Sequence, residues 1–269
     1  MSGVLQAFDE GAIFGARWGR GEPLVVALHG WGRSHHDFEA ALGSASAGGP
    51  LASVGLDLPG FGASPAPSEP WGSARYADAV ARVLVQVSGR PVVVVGHSLG
   101  GRVALQLGAR HPGAVGALVL TGAPIGPKAP GAGRLAPGYR VARRLHRAHL
   151  LSEPAMERAR QRYGSADYRA AAGVMRQILV RMVAEDYSDV VGRLRCPVEL
   201  VWGADDTVAP PGMARWLRDQ VPGAVLVECP EVGHLVPVAA PGALRGAVER
   251  ALQRCGYGEN SSGSAGSGR

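Results

Sequence analysis

Apolar residues along this chain come in short runs broken by glycine, proline and aspartate, and the runs alternate with stretches of helical period. "VLQAF" and "AIFGARW" flank Asp9-Glu10-Gly11 and predict a β-hairpin. "PLVVALHG", "LASVGLDLPG", "PVVVVGHS" and "VGALVLTG" each predict a buried strand. Between them the pattern predicts helices over "SHHDFEAALGSA", "YADAVARVLVQVSG" and "LGGRVALQLGARHPG". Ser34 opens the first of these, with Asp37 as its capping-box-like partner.

The alternation stops at Pro124. From there to about Val191 the chain shows turn-rich sequence and helices but no strand. The strongest helix of this block is expected to begin near Ser165, with Ala171, Val174, Met175, Ile178, Leu179 and Met182 on one face. Strands resume with "CPVELVWG" and "GAVLVECP", and "PGALRGAVERALQRC" closes as a helix. Continuously apolar strands separated by helices predict an α/β fold, a mostly parallel sheet covered on both faces. The expected organisation is a core over residues 1–123 and 191–256, a helical cap inserted at 124–190, and a disordered Gly/Ser-rich tail at 257–269.

Composition adds little to this picture. The 269 residues carry 28 Lys and Arg against 22 Asp and Glu, a formal charge of +6. Lys128 is the only lysine, which reads as a coding bias rather than recognition chemistry. Residues 124–190 hold twelve Lys/Arg and six Asp/Glu, and so account for the whole excess. No zinc-finger or RNA-binding pattern accompanies it, so nucleic acid is not an expected partner. Cys196, Cys229 and Cys255 are odd in number and have no Cys-x-x-Cys spacing, which argues against a disulfide framework or a zinc site. No apolar run approaches membrane-spanning length, and "MSGVLQAFDEG" lacks the pattern of a signal peptide. A cytoplasmic protein without membrane partners is expected, and the sequence fixes no oligomeric state.

The chemistry gathers where the valine run ends. In "VVVVGHSLGG", Gly96-His97-Ser98-Leu99-Gly100 sits between a strand and a helix. A chain with forty glycines matches G-x-S-x-G by chance about 0.4 times, so the match alone carries little. Its place between strand and helix is what a serine nucleophile requires: a tight turn lifts the hydroxyl above the sheet edge. Such a serine needs a base, and the base needs an orienting acid. "VWGADDTVAP" places Asp205 and Asp206 after one later strand, and "CPEVGHLVP" places His234 after the next. Ser98 is then the nucleophile and His234 the base, with either aspartate as the acid. Two fixed N–H groups are needed for the oxyanion: Leu99 offers one, and Trp31, in the loop after "PLVVALHG", offers the other. This chemistry requires no cofactor and no metal.

Through "LHGWGRS", "DLPGFGAS", "GHSLGG", "WGADDTVAP" and "VGHLVP", in that order over roughly residues 20–250, the chain resembles the α/β-hydrolase superfamily. "HGWG" and "DLPGFGAS" are similar to the pimeloyl-acyl-carrier-protein methyl ester esterases, which typically have Trp where this chain has His97. Menaquinone-pathway synthases and carbon–carbon bond hydrolases share similar motifs. The resemblance implies the α/β-hydrolase fold with a helical cap, and it selects Asp206, three residues after Gly203, as the acid. It also implies a serine hydrolase acting on a carboxylic ester or related acyl compound, a small molecule that the Arg-rich cap would favour if anionic. The same triad in relatives also serves carbon–carbon hydrolases, thioesterases, peptidases and lyases, and some hydrolase folds have become binding modules.

Other polar residues have structural readings. His29 is expected to bond its local backbone, Asp57 to tie down its loop, and Ser64 to sit in a turn. His35, His36, His146 and His149 read as surface residues. Tyr139, Tyr163, Tyr168 and Tyr187 either line a substrate pocket or pack the helical block.

Overall fold

The computed structural model describes residues 3–44, 49–126 and 137–257. Among them, those within 1–66, 73–126 and 186–269 form one compact unit, and those within 67–72 and 127–185 a second. Residues 258–269, nearly all of the expected tail, lie outside the described part of the chain.

The first unit is built on eight strands: β1 (Val4–Phe8), β2 (Ile13–Trp18), β3 (Val25–Leu28), β4 (Ser53–Asp57), β5 (Val92–His97), β6 (Val115–Thr121), β7 (Val198–Gly203) and β8 (Val225–Cys229). They form one sheet in the order β1-β2-β4-β3-β5-β6-β7-β8. The first two strands pair antiparallel, from Val4 opposite Arg17 to Phe8 opposite Ile13, as the hairpin pattern predicts. β2 also runs antiparallel to β4, and every pair from β4 through β3 to β8 is parallel. This is the α/β-hydrolase fold.

Burial explains the composition of the strands. Val25 through Leu28 and Val92 through Val95 expose nothing, because helices cover both faces of the sheet's centre. Branched side chains suit such strands, where neighbours on the pleat fill the space beside them. Helix Ser73–Val87 turns Tyr76, Ala77, Val80, Val83 and Leu84 inward, and helix Leu99–Arg110 buries Val103, Ala104, Leu105 and Leu107. From the far face the closing helix Pro241–Arg254 adds Leu244, Ala247, Val248 and Ala251 to a core shared with Val93, Val95 and Val119.

Strand order decides where a site can form. The chain lays β4 on one side of β3 and then crosses to place β5 on the other. Loops leaving β3 and β5 at their carboxyl ends therefore part in opposite directions and leave a crevice between them. "HGWG" and Ser98 stand at this point.

Two expectations for helices are corrected. Residues 35–43 form a 3₁₀ turn, His35–Phe38, followed by a π turn, Glu39–Gly43, instead of one α-helix. Ser34 makes no side-chain cap, and Asp37 is held by Arg33 through two hydrogen bonds. In the second unit Ser165 does cap a helix, its Oγ accepting the Tyr168 N–H at 3.1 Å, but that helix ends at Ala170. The longer helix starts at Gly173, whose φ of +52° marks a break in the chain direction. Ile178 and Met182 are buried on it as expected, while Val174, Met175 and Leu179 are half-buried.

On β7, Glu199 is 1% exposed, and its two carboxylate oxygens accept from Arg250 Nε at 2.9 Å and Arg254 Nη1 at 3.2 Å. The pair fastens the closing helix to the sheet from below. Removing one partner of a buried pair leaves charge without a counter-ion. Glu199→Ala should lower unfolding free energy by about 3 kcal/mol, the lower end of such losses because both arginines are partly wetted. Urea denaturation followed by tryptophan fluorescence would measure it, and an unchanged midpoint would disprove this role.

Candidate active site

Ser98 follows β5 with φ +51° and ψ −108°, a conformation that is strained for any residue with a β-carbon. Its neighbours make the turn possible. A β-carbon on Gly96 would lie 2.6 Å from the Gly100 carbonyl oxygen, and one on Gly100 would run into the Leu28 carbonyl at the end of β3. One on Gly101 would meet the Ala123 Cβ at 2.5 Å, after β6. Only glycine permits these approaches. The Ser98 N–H donates to Thr121 O at 2.9 Å and the Gly100 N–H to His29 O at 3.0 Å, which ties the turn to strands on both sides.

His234 stands in the loop after β8, Asp206 in the loop after β7. The His234 ring spans the two candidates: its Nε2 lies 3.1 Å from Ser98 Oγ and its Nδ1 2.8 Å from Asp206 Oδ2. Asp206 exposes none of its side chain, and its Oδ1 accepts the N–H groups of Val208 and Ala209, both at 2.8 Å. Both oxygens of this buried carboxylate therefore have partners, as a charge out of water requires. Trp202, wholly buried, holds the same loop by donating its Nε1–H to Ala209 O at 2.7 Å. Asp205 is exposed, and among the described residues only its backbone N–H is engaged, at 2.9 Å from Val232 O. The geometry thus brings Asp206 to the histidine and leaves Asp205 outside.

With Nδ1–H donating to the carboxylate, Nε2 is free to accept the Ser98 hydroxyl proton. Leu99 is the first helical residue, so its N–H has no acceptor in its own helix. The loop after β3 reaches the serine as well: a β-carbon on Gly30 would lie 3.3 Å from the Ser98 Cβ. Trp31 follows Gly30, and its N–H, like that of Leu99, has no acceptor among the described residues. Its indole meets Phe61 edge-on with centroids 4.9 Å apart.

Residues outside this constellation occupy structural positions. The His29 Nδ1–H donates to Gly30 O at 2.7 Å, while its Nε2 accepts the Leu58 N–H at 3.0 Å. Asp57 accepts from the backbone and ring of His35 and from the Ala63 N–H. Ser64 bridges Phe14 N–H and Asp57 O. Contrary to expectation, His35 is buried, and it owes this to Asp57. In the second unit His146 faces Leu151 O and Glu153, and Tyr168 donates to Glu157. Tyr187 is buried in the first unit, with Arg102 over its ring.

His97 is the residue that sequence reading passed over. It is 1% exposed, donates its Nδ1–H to Thr121 O at 3.3 Å, and packs its ring 4.9 Å from that of His234. Burial, with the His234 charge alongside, pushes its pKa down to about 3. The signal was its place beside Ser98 in an otherwise aliphatic strand.

Residues 25–247 match the alpha/beta hydrolase family. The chain belongs to that family and is a hydrolase. It is 35% identical over 234 residues to the pimeloyl-[acyl-carrier protein] methyl ester esterase of Chromobacterium violaceum, covering 79% of this chain and 87% of that one. The protein of the same name from Neisseria meningitidis serogroup A is 30% identical, over 78% of this chain and 70% of its own length. Among solved structures, a thermophilic esterase from Thermogutta terrifontis superposes with a TM-score of 0.65 at 23% identity, over 95% of this chain and 98% of that one. No helix among the described residues is long and apolar enough to cross a membrane.

Unfolding returns His97 to its ordinary pKa of 6.5, so below that pH the unfolded chain takes up a proton that the folded one refuses until about 3. Stability should fall as the pH drops through this window. From pH 7 to pH 5 the loss due to His97 alone is about 2 kcal/mol. His97→Phe should therefore lose about that much less on acidification, as read from urea denaturation of both proteins at the two pH values. Equal losses would contradict a neutral buried His97.

Proposed function

We propose that the protein hydrolyses a carboxylic ester through an acyl-enzyme on Ser98. The observation that carries this reading is His234, whose two ring nitrogens reach Ser98 Oγ and the buried Asp206 at hydrogen-bond distance. Ser98 Oγ attacks the ester carbonyl while its proton passes to His234 Nε2. Asp206 keeps the ring in the required tautomer and stabilises its charged form. The N–H groups of Trp31 and Leu99 receive the carbonyl oxygen as it becomes negative. Collapse breaks the ester bond, and the leaving alkoxide takes the proton from His234. Water, giving a proton to the same nitrogen, then attacks the acyl-enzyme. The carboxylic acid leaves and Ser98 regains its proton.

Identity of 30–35% over most of their length to proteins named as pimeloyl-[acyl-carrier protein] methyl ester esterases supports a methyl ester of a carrier-bound acyl chain as substrate. Arg140, Arg143, Arg144 and Arg147 are exposed on helix Pro137–Arg147, which has no acidic residue; its one ion pair among the described residues is that of His146 with Glu153. Their field draws in negative substrates from a distance. We assign residues 124–190 the role of a cap and the protein a cytoplasmic site of action.

A fluorophosphonate should add once to the wild-type protein and not to Ser98→Ala, as read by intact mass. Asp206→Asn and His234→Ala should cut kcat on an aryl ester by about 10³-fold or more, with KM little changed. A folded wild type that takes no adduct would refute the reading.

The second expectation concerns charge. At low ionic strength, kcat/KM for an anionic ester should exceed that for a neutral one of equal size, by about tenfold, and the gap should close near 0.5 M salt. Changing all four arginines to Gln should abolish the gap without altering turnover of the neutral ester. Equal values for both esters at low salt would end the anionic assignment.

A further inference from the structure

We infer that His97 is a positioning residue of this reaction, holding the His234 ring over Ser98 and the Trp31 loop in register with it. The inference rests on the hydrolytic reading above.

Its basis is the set of parts that one buried ring touches. One edge points to the oxyanion loop: a β-carbon on Gly30 would come within 3.0 Å of His97 Cδ2 and 3.3 Å of its Nε2. Its Cε1 points to Gly122, where a β-carbon would lie 3.2 Å away and also 3.0 Å from His234 Nδ1 and Cε1. Gly122 has φ +56°, so the chain turns sharply just where the two rings meet. The His97 and His234 rings are 4.9 Å apart between centroids and inclined at 51°. His97 is anchored in turn by Thr121 O, the same carbonyl that accepts the Ser98 N–H.

The ring therefore fills the space bounded by the oxyanion loop, the base and the carbonyl that fixes the nucleophile's backbone. Asp206 fixes the tautomer of His234 and one end of its ring, but a single hydrogen bond leaves the ring free to tilt about that end. A flat, wholly buried neighbour limits the tilt. It does so without competing for the proton, because His97 stays neutral while His234 becomes charged. Small displacements of a base from its partner carry large losses of rate.

The test compares His97→Ala, His97→Leu, His97→Phe and His97→Trp. Leu fills much of the volume without a flat face, Phe restores the face without the N–H, and Trp restores both. For each, kcat and KM on an aryl ester, the maximal rate of fluorophosphonate labelling, and the circular dichroism would be measured. The Ala and Leu variants should keep a native spectrum and KM within about twofold of wild type, while kcat and labelling both fall about 10- to 100-fold. Phe and Trp should recover to within about fivefold. If Ala fails to fold, Leu against Phe decides the matter. Wild-type kcat in the Leu variant, or a Phe variant as slow as Leu, would overturn the inference while leaving the hydrolytic reading intact. A wild type that neither labels at Ser98 nor turns over ester would overturn both.

Discussion

The rest of the site depends on a single backbone conformation, the positive φ of Ser98. A residue with a β-carbon held there costs about 1–3 kcal/mol, and the surrounding structure has to outweigh it. Four wholly buried valines lead into the turn and a twelve-residue helix leads out, both packed on neighbouring strands. Packing that close needs Gly96, Gly100 and Gly101, because any side chain there would strike backbone or a neighbouring alanine. The glycines and the serine are thus one device: removing the space removes the turn, and removing the turn lowers the hydroxyl into the sheet.

Once the hydroxyl stands at the sheet edge, topology supplies its partners. Adjacent parallel strands end on the same side, so the loops after β3, β5, β6, β7 and β8 share one rim. Each loop is held by its own polar accounting. The Asp206 loop is closed by two backbone donors and by Trp202, and the β3 loop by His29 bonded at both ring nitrogens. Polar atoms satisfied in this way do not need to rearrange when charge develops nearby, the condition under which fixed dipoles favour a reaction.

Most of the core was legible in the sequence because buried parallel strands are continuously apolar and the helices between them keep a strict period. The serine and the histidine were legible because they interrupt that pattern at strand ends. Asp205 and Asp206 were not separable on physical grounds, since either could follow β7 into the loop. Three-dimensional pairing separates them: the Asp205 N–H binds Val232 O, and this turns Asp206 inward. The break at Gly173 and the 3₁₀ and π turns over residues 35–43 also escaped. Periodicity reports which face is apolar, and it is blind to a change of pitch or direction between two segments with the same face. His97 escaped for a different reason. In sequence it is one polar residue beside another, and only the packing of Gly30 and Gly122 shows what its ring abuts.

The distribution of charge separates chemistry from selection. Within the constellation proposed for catalysis the one permanent charge is Asp206, and its field is taken up by His234 and two backbone N–H groups. Burial keeps His97 neutral down to about pH 3, and Trp31 and Leu99 contribute only peptide dipoles. Such a site carries a negative charge and no cation among its proposed members, so it has no means of its own to prefer an anion over a neutral ester. A preference of that kind has to come from charges outside it. The four arginines of helix Pro137–Arg147 are of the right sign and are exposed. A long-range field requires no contact, so it acts on encounter and not on the bond-breaking step. Under the proposed preference for anionic esters, substitutions on this helix would change which ester is captured without retuning the serine that cleaves it.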